Sequence, residues 1–219
     1  MSKQKLSVRY MTVTAMFCAI SYVLVLIAKV IPNVAGFLSY EPKDVAVVIA
    51  GYILGPLASI IVSVVVSFIE MISISTTGPY GFLMNVVSTL AFALPSVLIY
   101  KKYRTHKGAV IGLCVGVIFL AACMVAWNYV ITPFYMGVPR EKVAGMLIPI
   151  FLPFNLIKGG LNAALTLLLY KPIVSALRKA KLVDESSGPK RRFNFVFTII
   201  AGAIFSTFVM LFLVLLGVL

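Results

Sequence analysis

The sequence contains the stretch Pro153-Phe154-Asn155-Leu156-Ile157-Lys158-Gly159-Gly160-Leu161-Asn162, inside a run from about residue 146 to residue 170 that is otherwise apolar enough to cross a bilayer. A lysine near the middle of such a span costs several kcal/mol unless it meets water, a partner or a ligand. Spacings of three and four residues place Asn155, Lys158 and Asn162 on one face of a helix. Two carboxamides and one ammonium group on that face favour contact with a polyhydroxylated or anionic small molecule.

The composition places the chain in a membrane. Of its 219 residues 62% are hydrophobic and 11% are charged, whereas soluble domains carry about 25% charged residues. The surplus apolar residues must face lipid, so we predict an all-α integral membrane protein. The formal net charge of +13 does not indicate nucleic-acid binding, because the basic residues stand between apolar runs, where they are topology signals. The three cysteines also lie in apolar runs, without metal-ligand or redox spacing.

Seven apolar runs predict helices, at about residues 10–31, 44–54, 57–75, 82–100, 109–132, 146–177 and 195–219. The second run is too short to cross a bilayer upright. A polar linker, 184–192, separates the seventh run from the rest. We therefore expect a six-helix bundle over residues 1–193 and an additional C-terminal transmembrane helix over 194–219, which serves as an anchor or packing element.

Basic residues predict the orientation of these helices. They cluster before the first run, after the fourth and after the sixth: Lys3, Lys5, Arg9, Lys101, Lys102, Arg104, Lys107, Lys171, Arg178, Lys179, Lys181, Lys190, Arg191 and Arg192. The opposite loops balance their charges: Lys43, Arg140 and Lys142 against Glu41, Asp44 and Glu141. We expect a multi-pass protein of the cell membrane with a cytoplasmic N-terminus and an extracellular C-terminus.

Three outward loops are expected to converge with the outer half of the sixth run on one pocket. The loop over 32–44 is long and half apolar, which suits a lid. The loop over 75–81 is a tight turn, with Asn85 one helical turn beyond it, and the third loop, 135–145, follows Asn128. Buried polar groups in a membrane are costly unless they are satisfied, so each of these amides is a candidate site residue.

Glu70 is the acidic residue that lies well inside a predicted span. The favoured interpretation is that it caps the outer end of its helix, because Ser73 and Ser75 are about a turn away. The alternatives are a structural pair with Lys158 and a proton-carrying role. Lys158 itself would otherwise snorkel to the membrane surface.

The sequence lacks the patterns that membrane enzymes and self-powered pumps need. It has no G-x-x-x-x-G-K-[S/T] stretch, no H-E-x-x-H, no Ser/His/Asp set and no cluster of metal ligands. Several intramembrane acids and inverted repeats, which ion-driven carriers usually show, are not evident either. We therefore predict no enzyme activity and no metal site, but a membrane protein that binds a small molecule from outside and draws its energy elsewhere.

Several segments, in this order, resemble the substrate-binding S components of energy-coupling factor (ECF) vitamin transporters, and specifically the riboflavin type. The resemblance covers about residues 8 to 180 and rests on Leu38-Ser39-Tyr40-Glu41-Pro42-Lys43-Asp44-Val45, Ala50-Gly51-Tyr52-Ile53-Leu54-Gly55-Pro56, Gly78-Pro79-Tyr80-Gly81 with Asn85, Asn128-Tyr129 with Pro133-Phe134-Tyr135, and Asn155-Leu156-Ile157-Lys158. Two features depart from the family pattern: the Glu41-Pro42-Lys43-Asp44 approach to the second run, and the seventh helix.

The resemblance implies a six-helix bundle whose first outward loop folds over the ligand. It also implies assembly with a transmembrane coupling subunit and two cytoplasmic ATPases, docked through the small residues Ala15 and Ala19 of helix one. The implied ligand-binding residues are Tyr40, Glu41, Gly81, Asn85, Asn128, Asn155 and Lys158. Of these, Asn128, Asn155 and Lys158 would bind the ribityl chain and the flavin edge. Asn162, one turn deeper, is expected to make an interhelical hydrogen bond instead.

Under this interpretation riboflavin is a transported substrate and not a cofactor, with FMN and related flavins as further candidate ligands. Two alternatives stay open. One keeps the architecture and changes the vitamin, because S components share a fold while they bind different ligands. The other is a stand-alone carrier coupled to an ion gradient.

Overall fold

The computed structural model describes residues 8–183 and 195–218. Within these two segments the chain is helical: α1 Val8–Ala28, α2 Lys43–Leu54, α3 Pro56–Ser73, α4 Gly78–Tyr103, α5 His106–Met136, α6 Arg140–Met146, α7 Leu152–Lys179 and α8 Phe195–Leu215. The predicted linker 184–192 and the division at residues 193 and 194 lie outside the described residues.

Six of the helical segments in the described ranges are long and apolar enough to cross a membrane. This confirms the prediction of an all-α integral membrane protein. The exception among the predicted runs is α2, whose 12 residues extend only about 18 Å at 1.5 Å per residue. Helix α2 is nevertheless buried along most of its length. It therefore lies inside the bundle and contacts other helices instead of lipid.

The connection from α2 to α3 is a single residue, Gly55, with a φ angle of 101°. A side chain is strained at that angle, so glycine is required there. Pro56 then begins α3, where its missing N–H is not needed for a hydrogen bond. The two helices therefore reverse direction within one residue, and the start of α2 stays at the end of the bundle that carries the α1–α2 loop. We call that end the outer end.

Helices α4 and α5 form the most extensive helix pair of the bundle. Two glycines of α5 explain the close approach. A Cβ atom at Gly112 would lie 2.7 Å from the carbonyl oxygen of Ser96, and one at Gly116 would lie 2.5 Å from that of Phe92. Both distances are shorter than real Cβ contacts, so these two glycines, four residues apart, let the two helices approach closely.

The expected loop over residues 135–145 is wrong over most of its length, because α6 begins at Arg140. From α6 the chain continues without a break through a π-helical turn, Leu147–Phe151, into α7. Pro149 lies in that turn and has no N–H to donate, which disturbs the regular α-helical ladder. The predicted sixth run at 146–177 is thus the later part of a longer helical segment, Arg140–Lys179.

The two ends of the bundle differ in charge and contacts. Opposite the outer end, Arg9 Nε donates to the Leu182 carbonyl at 2.8 Å, so the start of α1 and the segment after α7 lie together. The hydroxyls of Tyr100 and Tyr170 also meet there, at 2.6 Å, close to the basic ends of α4 and α7. Among the described residues, the basic start of α1 and the basic ends of α4 and α7 therefore share one end. Lys3, Lys5, Lys190, Arg191 and Arg192 lie outside the described residues.

Candidate functional site

A cavity of about 560 Å³ opens at the outer end of the bundle. Its walls come from the α1–α2 loop, the outer ends of α3, α4 and α5, and the first half of α7. All seven sequence-predicted ligand-binding residues line it: Tyr40, Glu41, Gly81, Asn85, Asn128, Asn155 and Lys158. Residues that are up to 118 positions apart in the chain therefore meet at one site.

The α1–α2 loop, residues 29–42, covers this cavity and is called the first loop below. It folds back on itself through two backbone hydrogen bonds, from Val34 N to Leu38 O at 2.9 Å and from Leu38 N to Val34 O at 3.0 Å. The reversal needs positive φ angles, 51° at Ala35 and 81° at Gly36, and glycine adopts such angles without strain. The loop then turns inward, so that Tyr40 and Glu41 are buried.

Glu41 links the first loop to the floor of the cavity. Its Oε2 atom lies 2.8 Å from Lys158 Nζ, and its Oε1 atom lies 3.2 Å from Lys43 Nζ. Burial alone would raise the pKa of the Glu41 carboxyl, but Lys158 and Lys43 outweigh it and hold that pKa at about 2. The carboxylate is therefore ionised, and it satisfies the costly ammonium group that the sequence places in the membrane.

Lys158 has two further neighbours around its ammonium group. Its Nζ atom donates to Ser88 Oγ at 3.1 Å and lies 3.9 Å from Asp44 Oδ2. The side chain is only 4% exposed, so it does not snorkel to the membrane surface. Its carboxylate partner is Glu41 and not Glu70, which excludes the Lys158–Glu70 pair that the sequence left open.

The Glu70 side chain binds neighbouring helices and does not cap the end of its own helix. Its Oε2 atom accepts from Lys43 Nζ at 2.8 Å and from Asn85 Nδ2 at 2.9 Å, and its Oε1 atom lies 3.5 Å from Lys29 Nζ. The interpretation of Glu70 as a cap on its own helix end is therefore wrong. The carboxylate joins α2, α3 and α4 beneath the cavity, because a buried acid is stabilised far more by ammonium groups than by backbone amides a turn away.

Asn128 and Asn155 present amide groups from α5 and α7. Asn128 Nδ2 donates to Met124 O at 2.7 Å and its Oδ1 accepts from Thr132 Oγ1 at 2.9 Å, while Asn155 Nδ2 donates to Phe151 O at 2.8 Å. These bonds fix the two side chains to their own helices. A carboxamide has two N–H donors and two acceptor lone pairs, so both residues retain hydrogen-bonding capacity for a ligand.

Gly81 and Asn85 come from the first two turns of α4. A Cβ atom at Gly81 would collide with Thr77 Oγ1, so only glycine lets the preceding turn fold tightly against the helix. That turn is closed by a hydrogen bond between Ser75 Oγ and Thr77 Oγ1 at 3.1 Å. One helical turn further on, the Asn85 amide reaches Glu70.

Asn162 behaves as predicted, as a hydrogen-bonding residue behind the cavity. Its Oδ1 atom accepts from Tyr40 OH at 2.9 Å, and its Nδ2 atom donates to Glu41 O at 3.1 Å and to Asp44 Oδ2 at 3.2 Å. It is fully buried. Asn162 therefore fastens the inner end of the first loop and the start of α2 to α7.

Two buried charged residues, Lys43 and Asp44, were not predicted as site residues. In the sequence both resemble members of a charge-balanced outer loop, yet Lys43 is 1% exposed and Asp44 is 0% exposed. Asp44 Oδ1 accepts from Thr89 Oγ1 at 2.6 Å, and its other oxygen faces Asn162. One signal of burial was present in the sequence, since the two residues directly precede the apolar stretch Val45–Ala50. Alternating charges are also typical of a solvated loop, however, and they concealed that signal.

Six lysine and carboxylate side chains thus surround the base of the cavity, and their formal charges cancel. Three are cations and three are carboxylates: Lys29, Lys43, Lys158, Glu41, Asp44 and Glu70. Because no net charge is left over, the site suits a ligand that is itself uncharged and makes hydrogen bonds. Aromatic and apolar side chains complete the walls: Phe37, Tyr80, Met84, Met124, Tyr135 and Phe154. Such a mixture fits a flat apolar ring that carries polar substituents.

Comparisons with known proteins agree with this geometry. The family model described as "ECF transporter, substrate-specific component" matches residues 9–170. The chain is 29% identical over 194 residues to the riboflavin transporter FmnP of Bacillus subtilis strain 168, covering 81% of this chain and 100% of that protein. It is 28% identical over 171 residues to the riboflavin transporter RibU of Staphylococcus aureus strain TCH60, covering 75% of this chain and 90% of that protein.

A solved structure has the same architecture. It is described as "Structure and mechanism of the S component of a bacterial ECF transporter", and it matches with a TM-score of 0.67 at 28% sequence identity. The match covers 98% of that chain and 78% of this one. Helix α8 lies beyond residue 170, where the family match ends.

Proposed function

The chain belongs to the family of ECF transporter substrate-specific components, and from that premise we propose that it binds riboflavin from outside the cell and serves its uptake. The observation that carries this proposal is the convergence of all seven candidate residues on one cavity at the outer end of the bundle. Both FmnP and RibU are named as riboflavin transporters. The protein is a transport subunit and not an enzyme.

The chemistry of the site supports riboflavin among the vitamins. Its isoalloxazine ring is flat and largely apolar, and its ribityl chain carries several hydroxyl groups. In our proposal the apolar walls hold the ring, while Asn128, Asn155 and Lys158 bond the ribityl chain and the edge of the ring. Tyr40, Glu41, Gly81 and Asn85 line the rest of the site. Balanced charges around the base favour neutral riboflavin over FMN, whose phosphate would need an uncompensated cation.

The same arrangement supports the orientation that we propose. The first loop and the cavity lie at one end of the bundle, and the described basic residues at the start of α1 and the ends of α4 and α7 lie at the other. If the basic end faces the cytoplasm, the cavity opens to the outside of the cell membrane. The N-terminus is then cytoplasmic. The contact between Tyr40 of the first loop and Phe212 near the end of α8 accordingly favours an extracellular C-terminus.

Energy for uptake would come from partner subunits. We propose that a transmembrane coupling subunit docks on α1 at Ala15 and Ala19, and that two cytoplasmic ATPases drive it. Both alanines are exposed on the outside of the bundle, and small side chains let another helix approach closely. Helix α8 packs against α7 and leaves this face of α1 open.

The alternative of a stand-alone ion-coupled carrier finds less support. Its candidate proton carrier, Glu70, is held by Lys43, Lys29 and Asn85. Nothing in this arrangement favours Glu70 as a carrier over a structural anchor.

A vitamin panel tests the ligand assignment. Purified protein is heated with riboflavin, FMN, thiamine or biotin, and its unfolding temperature is recorded. A ligand that binds the folded state raises this temperature in proportion to the logarithm of its concentration over Kd. We expect the largest rise with riboflavin and a smaller one with FMN. A rise with another vitamin and none with riboflavin would change the assigned substrate while keeping the family.

Uptake by cells that contain the partner subunits tests the docking surface. Ala15→Trp should spare riboflavin binding by the purified subunit and abolish uptake, because the indole blocks helix contact. Ala122→Trp is the matched control, since Ala122 is an exposed alanine on a different helix, α5, and uptake should continue. If Ala15→Trp also removes binding, the separation between pocket and docking surface is wrong.

A further inference from the structure

Helix α8 has one face that is packed and one that is not. Ala201 and Phe212 are buried, and Phe205, Phe208 and Val209 pack beside them. Large apolar side chains cover the other face and are 44–58% exposed: Ile199, Ile200, Ile204, Met210, Leu211 and Val214. The packed positions recur at three- and four-residue spacings, which is the pattern of a helix docked along one side.

The packed face is fitted to α7 by a glycine. A Cβ atom at Gly160 would collide with the aromatic ring of Phe208, so any larger residue at 160 would push α8 away. Neighbouring Gly159 instead faces Val117 and Leu120 of α5. Gly159 thus allows α5 to pack closely against α7, and Gly160 allows α8 to do so.

One turn beyond Phe208, α8 reaches the first loop. The ring centroid of Phe212 lies 5.5 Å from that of Tyr40, with an interplanar angle of 55°. The two rings belong to one buried cluster that joins the first loop, α7 and α8: Val34, Tyr40, Phe154, Ile157, Leu161 and Phe212. Leu38 packs against the same cluster. Residues on both sides of the loop reversal therefore contact this cluster.

The cluster borders the cavity without α8 entering it. Tyr40, Leu38 and Phe154 line the cavity, whereas none of the described residues of α8 does. The Tyr40 ring is held on one side by Phe212, and its hydroxyl is held by Asn162 at 2.9 Å. Any effect of Phe212 on a ligand must therefore act through Tyr40 and the first loop.

We propose that α8 is a clamp on the first loop, with Phe212 as a positioning residue that keeps Tyr40 and the loop closed over the cavity and so slows ligand release. The proposal rests on the proposed function, because it concerns the release of riboflavin. It gives a role to a helix that lies beyond the part of the chain matched by the family model. Aromatic contacts of this kind contribute measurably beyond the area they bury.

The test compares Phe212→Ala with Leu211→Ala in the full-length protein. Leu211 is the neighbouring residue on the exposed face of the same helix, so its truncation changes lipid contacts only. We expect riboflavin to dissociate about three- to tenfold faster from Phe212→Ala than from wild type, and at the wild-type rate from Leu211→Ala. Phe212→Leu retains most of the buried volume, so it should fold normally and give an intermediate rate.

A second arm needs no ligand. Hydrogen exchange of the Val34 and Leu38 amides, which bond each other's carbonyls, reports opening of the first loop. Exchange should be faster in Phe212→Ala and unchanged in Leu211→Ala. Equal exchange and equal dissociation rates in the two variants would overturn the clamp. If wild type binds no riboflavin, the proposed function fails, and the exchange arm alone decides whether α8 holds the loop.

Discussion

Replacing Lys158 by Met should destabilise the protein strongly, and a second replacement should largely undo that loss. Met has a similar length but no charge. In wild type, Lys158 Nζ contacts Glu41 Oε2 at 2.8 Å in a site where the two side chains are 4% and 9% exposed. Lys158→Met removes one of three cations that balance three carboxylates. Glu41 and Asp44 then keep their negative charges with one fewer cation near them.

The size of the effect follows from burial. Breaking a buried ion pair by removing one partner costs about 3–5 kcal/mol, because the other charge is left uncompensated. For a protein of this size each kcal/mol lowers the unfolding temperature by about 2–4 °C, so Lys158→Met should unfold roughly 6–20 °C lower than wild type. The double variant Lys158→Met/Glu41→Gln restores charge balance, and we expect it to recover more than half of that loss.

Thermal unfolding of the purified variants in one detergent measures this cycle. Lys29→Met is a matched control, since the Lys29 side chain is 46% exposed and its ammonium lies 3.5 Å from Glu70. The Lys29 ammonium group is partly solvated, and Glu70 keeps its buried partner Lys43 at 2.8 Å. We therefore expect a loss of about 0–1 kcal/mol, as for a surface pair, and this variant should unfold within a few degrees of wild type. The single variant Glu41→Gln completes the cycle. If the double variant loses as much stability as Lys158→Met and Glu41→Gln lose together, or more, the two charges do not compensate each other and charge balance does not explain the site.

Three further outcomes follow from the geometry. Asn128→Ala should weaken riboflavin binding by about 1–3 kcal/mol, measured by fluorescence titration, because a polar ligand atom loses its partner in a buried site; unchanged affinity would remove Asn128 from the site. Gly116→Leu should lower the unfolding temperature sharply, because the new side chain meets the Phe92 carbonyl of α4, whereas Val115→Leu on the exposed face should not. Tyr170→Phe should cost about 1 kcal/mol of stability through its lost hydroxyl bond, with no change in riboflavin affinity, since that bond lies at the opposite end of the bundle.

The helices were predictable because lipid imposes a simple rule on the sequence. A span needs about 20 apolar residues, and every predicted run has a helix in the structure. Boundaries were less predictable. The loop expected over 135–145 contains α6, and the π-helical turn around Pro149 joins it to α7, because hydropathy does not distinguish an apolar loop from an apolar helix.

The candidate site residues were accessible from sequence for a related reason. Polar groups are scarce in apolar spans, so Asn128, Asn155 and Lys158 stood out individually. Their pairing did not, because Glu41 and Lys158 are 117 residues apart. Local charge alternation made Lys43 and Asp44 resemble a solvated loop, although both are buried. Only the tertiary structure shows which charges meet and which remain exposed.

The role of α8 was the least accessible feature. The sequence describes an apolar helix with a few uncharged polar groups, which any lipid-facing anchor would share. Its contact with the first loop depends on Gly160 and on the register of Phe208 and Phe212 against α7. An apolar face carries no mark of the partner that covers it, so this contact had no distinct signal in the sequence.

Titration of the purified wild-type protein with riboflavin tests the central claim most directly. The chain has a single tryptophan, Trp127, which is adjacent in sequence to the cavity-lining Asn128, so its emission is the chosen probe of riboflavin binding. We predict saturable quenching with one riboflavin per chain, complete at micromolar ligand, and a weaker response in Asn155→Ala. A flat titration over that range, or equal quenching in wild type and Asn155→Ala, would contradict the assignment of this cavity as the riboflavin site.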